Sequence, residues 1–214
     1  MWIRSFQYYI ENNLDPRNQN AQKVSIIHFK SRAKILKINP QATLIVTPSD
    51  HLILNQTRFN EIIQTAIKVA NENEQLVTLG ISPTRPDTGY GYIEIEKKDK
   101  AEYFDIKSFV EKPNKKNAIN FLNSGNYLWN SGMFMFNASI YLSELNKFEP
   151  EILTSCKKSL SNEFKDLEFI RIDKKEFCKS PNQSIDYAVM EKTNKAKVVP
   201  LDAGWSDVGS WDAL

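Results

Sequence analysis

A short apolar run, Thr43-Leu-Ile-Val46, ends at Pro48, and a second pattern soon follows in which Phe59, Ile62, Ile63, Ala66, Ile67 and Ala70 recur at helical spacing, with Asn60, Glu61, Gln64 and Lys68 on the other side. The first pattern suits a buried strand, and the second an amphipathic helix that covers it. Repeated along a chain, this alternation restricts the fold to a sheet with helices on its faces, because neither element buries its apolar side alone. The alternation does continue. Leu76-Val-Thr-Leu-Gly-Ile81, Tyr90-Gly-Tyr-Ile-Glu-Ile95 and Ile106-Lys-Ser-Phe-Val110 read as strands, the last two as neighbours around a Lys97-Lys-Asp-Lys-Ala101 turn. Residues 117–123 read as a helix, 129–136 as a strand, and 139–148 as a helix through Ile140, Leu142 and Leu145. Pro150 marks a break, after which residues 151–179 are polar, lysine-rich and weakly periodic. Residues 185–191 predict a short helix capped by Ser184, and Lys197-Val-Val-Pro-Leu-Asp202 a late strand.

With 214 residues, 41% of them hydrophobic, the chain is long enough for one domain with a sizeable core. No linker or internal repeat divides it. Its 28 basic and 26 acidic residues leave a formal charge of +2, which gives no general attraction to nucleic acid or to an anionic membrane, so an anionic substrate needs a local site. Cys156 and Cys178 lack metal-ligand spacing and read as free thiols. The first residues do not form a secretory signal, and no apolar run approaches the roughly 20 residues that cross a bilayer. The expected location is cytoplasmic.

Several polar residues stand where open α/β sheets place their ligands. Asp50, in Pro48-Ser-Asp-His51, follows the first strand at its carboxyl end, where a carboxylate suits Mg²⁺ with substrate phosphates as co-ligands, or else caps a turn. His51 reads as a hydrogen-bonded residue that orients its loop. Asp207, in Gly204-Trp-Ser-Asp-Val-Gly-Ser-Trp211, is either a second ligand for the same cation or a loop cap. Glu111 and Lys112 end a strand, where Glu fits a sugar hydroxyl and Lys a phosphate, with a surface ion pair as the plain alternative. Met133-Phe-Met-Phe136, Trp205 and Trp211 read as core, and the lysine pairs at 97–98, 115–116 and 157–158 as solvated faces.

Five segments occur in order: Thr78-Leu-Gly-Ile-Ser-Pro-Thr-Arg-Pro-Asp-Thr-Gly-Tyr-Gly-Tyr-Ile-Glu94, Phe109-Val-Glu-Lys-Pro113, Trp129-Asn-Ser-Gly-Met133, Ser184-Ile-Asp-Tyr-Ala-Val-Met-Glu-Lys-Thr193 and Gly204-Trp-Ser-Asp-Val-Gly-Ser-Trp211. Together they resemble the mannose-1-phosphate guanylyltransferase family. The resemblance implies an α/β fold, a Rossmann-like nucleotidyltransferase mixed sheet flanked by helices. It implies that GTP and mannose 1-phosphate become GDP-mannose and pyrophosphate with Mg²⁺ held by Asp50 and Asp207. Glu111 then binds the mannose hydroxyls and Lys112 its phosphate; Asn130 and Gly132 contact the same sugar, Gly89 and Gly91 lie under it, and Tyr90 and Tyr92 stand in the wall. Asp186 either touches the sugar or caps the helix after Ser184.

The family's N-terminal loop, Gly-Gly-X-Gly-Thr-Arg-Leu-Trp-Pro-Leu-Ser-Arg followed by Pro-Lys-Gln-Phe, does not occur in this sequence. Leu14-Asp-Pro-Arg-Asn18 only echoes a family segment, and the match is continuous from Ala33 onward. The chain is therefore expected to be a single partial nucleotidyltransferase domain, N-terminally truncated, with residues 1–32 divergent and 33–214 family-like. Two other readings stand beside catalysis: a fragment that only binds sugar phosphate, and a related sugar-1-phosphate nucleotidyltransferase. Homo-oligomerisation and pairing with a missing N-terminal half are both compatible with the sequence.

Overall fold

The computed structural model describes residues 42–48, 50–72, 74–96, 101–161, 164–166 and 169–208. The echo at 14–18, the divergent opening residues, the turn residues 97–100 and Trp211 lie outside the described residues. Strand β1 (Thr43–Val46) leads through the two-residue β2 (Leu52–Ile53) into helix α1 (Gln56–Glu72). Then come β3 (Leu76–Ile81), β4 (Tyr92–Ile95), β5 (Phe104–Val110), helix α2 (Lys115–Ser124), β6 (Tyr127–Asn137), helix α3 (Ala138–Phe148) and helix α4 (Pro150–Ser161). A small hairpin of β7 (Phe164–Asp166) and β8 (Phe169–Arg171), a short helix α5 (Lys174–Cys178), a π-helical turn (Asp186–Met190), β9 (Ala196–Pro200) and β10 (Trp205–Ser206) follow. Six strands form one mixed sheet in the order β1-β6-β3-β9-β5-β4, with β3 and β9 parallel. The expected mixed α/β sheet is the one observed.

Alternation along the central strands explains why helices cover both faces. On β3, Leu76 joins one apolar cluster while Val77 and Leu79 join the other; on β6, Phe134 and Phe136 face the first cluster while Met133 and Met135 face the second. β9 divides in the same way, with Val198 on one side and Val199 on the other. The first cluster is closed by Tyr141 and Leu145 of α3, Ile152, Leu153 and Cys156 of α4, and Ala188, Val189 and Met190 of the π-helical turn. The second is closed by Ile62, Ala66, Val69 and Ala70 of α1. Strands buried on both faces are apolar at consecutive positions, which is why they read so clearly in the sequence.

The long strand β6 changes partners part-way. Its C-terminal half lies between β1 and β3, while Tyr127, Leu128 and Trp129 pair with β4. Against β3 the register shifts: Thr78 is opposite Phe134, but Gly80 is opposite Asn130. Ser131, Gly132 and Met133 therefore bulge from the ladder, and Gly132, at φ +72°, takes the left-handed conformation that glycine adopts at little cost. The motif Trp-Asn-Ser-Gly-Met is thus a β-bulge in the middle of the sheet.

Sequence reading and structure differ in four places. Tyr90 and Gly91 precede β4 rather than belonging to it. Pro150 opens helix α4 instead of only ending α3; at the first helical turn its missing N–H has no partner to lose. The buried Ile152, Leu153, Cys156 and Ser159 of α4 do recur at helical spacing, but Lys157 and Lys158 between them mask it, and the β7–β8 hairpin and α5 in the same stretch are too short to show a period. Ser184 makes no side-chain cap; the segment after it is a π-helical turn, which gives its first residues a different geometry from a regular helix. Cys156 is buried, which pushes its thiol up to about 12, and Cys178 is exposed; both are free thiols. Among the described residues no helix is long and apolar enough to cross a membrane.

Gly80 tests the packing between strands. A Cβ there would stand 2.6 Å from Cγ2 of Val198 and 2.7 Å from Cδ1 of Leu128, with Cβ of Leu128 at 3.0 Å. Gly80→Ala is expected to destabilise the domain by about 2 kcal/mol through overpacking, read as a lowered urea midpoint with unchanged slope.

Candidate active site

The loop after β1 carries Asp50 and His51 straight into β2, and β2 pairs antiparallel with β10 so that Leu52 faces Ser206 and Ile53 faces Trp205. Continuing this register by one residue sets Asp207 opposite His51, the residue that follows Asp50. The two aspartates, far apart in sequence, thereby flank one imidazole. Burial holds His51 below its ordinary value, and the negative charges of Asp50 and then Asp207 oppose that effect, which is possible only with both carboxylates near the ring. Trp205 Nε1 donates to His51 Nδ1 at 3.0 Å, with the rings edge to face, so His51 is fixed by hydrogen bonding as expected. Among the described residues no group of three or more His, Cys, Asp or Glu side chains could hold a metal ion. A cation at the aspartate pair would therefore need oxygens from outside the protein.

Tyr90 connects this end of the site to the bulge of β6. Its ring packs on Trp129 at 5.0 Å and on Trp205 at 5.8 Å, and burial together with a hydrogen bond to Asp207 pushes its hydroxyl up to about 12. The Arg85 guanidinium lies 5.4 Å from the centroid of Trp129 and pairs with Asp87 at 2.8 Å; Asp87 Oδ1 in turn accepts from Gly89 N at 2.8 Å. Tyr92 is buried, and its hydroxyl donates to the Asp87 carbonyl at 2.8 Å. Gly89 and Tyr92 thus shape the loop, whereas Tyr90 faces the aspartates. Gly132 approaches the Asp50 loop, since a Cβ there would lie 3.8 Å from Pro48.

Beyond the bulge lies a polar niche. Asn130 N donates to the Gly91 carbonyl at 2.8 Å, and Asn130 Nδ2 donates to Asp186 Oδ1 at 3.0 Å. The buried hydroxyl of Thr78 lies 2.8 Å from Asn130 Oδ1 and 3.0 Å from the Met133 carbonyl, so it fills the bulge and fixes the amide. A Cβ at Gly91 would collide with Glu111 Oε2 and stand 3.3 Å from Cβ of Asn130. Gly91, Glu111 and Asn130 therefore meet, as the sequence reading expects. The Glu111 side chain is 8% exposed; its Oε1 lies 3.3 Å from Lys112 Nζ, while its Oε2 is buried without a hydrogen-bond partner among the described residues. Burial, reinforced by the charge of Asp186, raises Glu111 to about 7, and burial raises Asp186 as well. Asp186 does not cap a helix through Ser184; it holds Asn130.

The family model for nucleotidyl transferases matches residues 15–214. The chain belongs to that family. It is 50% identical over 187 residues to the mannose-1-phosphate guanylyltransferase of Salmonella montevideo, an alignment covering 85% of this chain and 39% of that protein. The chain thus spans about two fifths of the length of such relatives. Among solved structures, the nucleotidyl transferase fold seen here superposes on the mannose-6-phosphate isomerase of Helicobacter pylori with a TM-score of 0.75 and 35% identity, covering 88% of this chain and 70% of that one. It superposes on the mannose-1-phosphate geranyltransferase of Thermus thermophilus with a TM-score of 0.76 and 30% identity, covering 92% and 55%. The family resemblance drawn from the five sequence segments is borne out by the family model and by the guanylyltransferase relative.

Three residues that sequence reasoning did not single out belong to the arrangement. Thr78 and Arg85 lie inside the first of the five segments, and Glu191 inside the fourth, but no local pattern marks a residue whose partner is 52 or 80 positions away.

Glu111 gives a pH-dependent test. Its folded value, about 7, lies above the ordinary 4.5, so the folded state keeps a proton that the unfolded chain releases. Stability contributed by that proton is full below 4.5 and is lost as pH rises to 7. Glu111→Gln is expected to remove this slope, gaining roughly 3 kcal/mol relative to the native residue between pH 4.5 and 7.5, measured as urea midpoints across that range.

Proposed function

We propose that this domain transfers a guanylyl group from GTP to mannose 1-phosphate, releasing pyrophosphate and forming GDP-mannose. The observation that carries the reading is the meeting of Gly91, Glu111, Asn130 and Asp186 in one niche, in a chain half identical to a mannose-1-phosphate guanylyltransferase. A sugar presents several hydroxyls, and the reading is supported by Glu111 Oε2, a buried oxygen without a hydrogen-bond partner among the described residues. At neutral pH Glu111 is near half protonation, so it can accept from one hydroxyl or donate to another. Lys112, whose exposed ammonium group lies 3.3 Å from Glu111 Oε1, would take the sugar phosphate as a point charge.

In the transfer, a phosphate oxygen of mannose 1-phosphate attacks the α-phosphorus of GTP, a new P–O bond forms, and the anhydride bond to the β-phosphate breaks. Such chemistry depends on positioning and on offsetting charge rather than on a protein nucleophile. Asp50 and Asp207 fit Mg²⁺, since two hard carboxylates with room for phosphate oxygens match its preference for shared coordination. When bound, that ion offsets the negative charge developing on the phosphates. Tyr90, hydrogen-bonded to Asp207 and packed on Trp129, sets the distance between the aspartates and the sugar niche.

The reading is tested by pyrophosphate release from GTP and mannose 1-phosphate with Mg²⁺. Asp50→Asn and Asp207→Asn are each expected to lower the rate roughly a hundredfold or more, and chelation of the cation to abolish it. Glucose 1-phosphate in place of mannose 1-phosphate should turn over poorly; equal rates would assign the site to a broader sugar-1-phosphate nucleotidyltransferase. Binding of mannose 1-phosphate without pyrophosphate release would instead assign this chain a sugar-phosphate-binding role.

A further inference from the structure

The sugar niche draws on the ends of β5 and β6, which β4 separates, and a further segment bonds to both of them. The π-helical turn Asp186–Met190 begins with Asp186, whose carboxylate accepts from Asn130 Nδ2 on β6, and is closed by Glu191, whose carboxylate Oε1 accepts from the backbone N–H of Glu111 at the end of β5, at 2.8 Å. Glu191 N in turn donates to the Asp186 carbonyl at 2.9 Å, so the two carboxylates are held at a fixed spacing. The turn is fastened to α3 and its end: Thr193 Oγ1 donates to the buried Glu144 at 2.6 Å, and Lys192 pairs with Glu149. The same turn fills the core with Ala188, Val189 and Met190.

The Glu111–Lys112 step needs such a hold. Lys112 has φ +48°, a left-handed conformation that disfavours a side chain with a Cβ, and a non-glycine residue remains there only when its surroundings impose it. The Lys112 side chain is exposed, and a 3.3 Å contact between solvent-facing Nζ and Glu111 Oε1 imposes little. The hydrogen bond from Glu111 N to Glu191 fixes the Val110–Glu111 peptide, one peptide unit before the strained φ of Lys112. If it is lost, Lys112 can relax to ordinary φ, which swings its ammonium group away and rotates the Glu111 carboxylate off Gly91.

We propose that Glu191 is a positioning residue for the sugar-phosphate subsite: by accepting from Glu111 N it holds the Glu111–Lys112 turn in its left-handed form, and so places both side chains on mannose 1-phosphate. The proposal rests on the function argued above. It separates hydrogen-bond acceptance from charge, since Glu191→Gln keeps an acceptor oxygen while removing the carboxylate.

The test is steady-state kinetics and calorimetric binding of mannose 1-phosphate for the native chain, Glu191→Ala and Glu191→Gln, with thermal midpoints as the folding check. Glu191→Ala is expected to raise KM and Kd for mannose 1-phosphate roughly tenfold, the size of one charge-assisted hydrogen bond, while KM for GTP stays within about twofold. Glu191→Gln should remain within about threefold of the native values, and it decides the matter if Glu191→Ala does not fold. Unchanged sugar-phosphate binding in Glu191→Ala, equal loss of affinity for both substrates, or a roughly tenfold loss in a folded Glu191→Gln would each overturn the proposal alone. A native chain that neither turns over nor binds mannose 1-phosphate would overturn the functional reading, and this proposal with it.

Discussion

The site depends on a change of register inside one strand. Three residues of β6 lie between Asn130 and Phe134 where β3 has a single residue between Gly80 and Thr78, so β6 carries two extra residues in the bulge. The parity matters more than the bulge itself. One extra residue would have exchanged the faces of everything beyond it, placing Phe134 and Phe136 where Met133 and Met135 belong; two extra residues leave both cores in register. The backbone can therefore leave the ladder at Ser131 and Gly132, aim Asn130 at Gly91 and Asp186, and resume without disturbing either apolar layer. Thr78, the buried polar residue of β3, makes this possible by satisfying the amide oxygen and the Met133 carbonyl that the bulge exposes.

The polar niche is costly to build. Two carboxylates, Glu111 and Asp186, are withdrawn from water close to one another, with Lys112 as the adjacent cation and Asn130 as the donor. Both are raised by burial, the usual outcome when a charge loses hydration and is only partly compensated. The open acceptor at Glu111 Oε2 adds to this cost. Such an arrangement persists because the sheet beneath it is packed on both faces.

Much of this is legible in the sequence, for physical reasons that also show where legibility ends. Leu76–Ile81 reads as a strand because a strand buried on both faces is apolar throughout, and α1 reads as a helix because one stripe alone faces the sheet. The pairing of β4 with β5 is likewise expected from the two runs and the turn between them. In α4, buried Ile152, Leu153 and Cys156 obey the same rule, but the adjoining lysines and the proline at its start suggest a break instead. The residues of the candidate site are visible as segments, and the meeting of Gly91, Glu111 and Asn130 is expected from them. What no local pattern can supply is the support: Thr78 filling the bulge, Asp186 holding Asn130 rather than capping a helix, and Glu191 reaching back to the end of β5. Contacts of that kind are fixed by topology, and topology is not periodic.

The two ends of the site also rest on different supports, which bears on how each would respond to change. The polar niche is framed by long strands and by a π-helical turn anchored in the larger core. The aspartates depend on a ribbon of two short strands, β2 and β10, with backbone bonds from Leu54 to Gly204 and from Asn55 to Ala203 continuing it and the Trp205–His51 bond bracing it. A two-stranded ribbon of this length is marginal without packing. Tyr90 supplies the link, since it touches Trp205 on one side and Trp129 on the other. A displacement of this ribbon would therefore reach the polar niche through Tyr90, whereas the niche, held by the longer strands, does not depend on the ribbon for its own geometry.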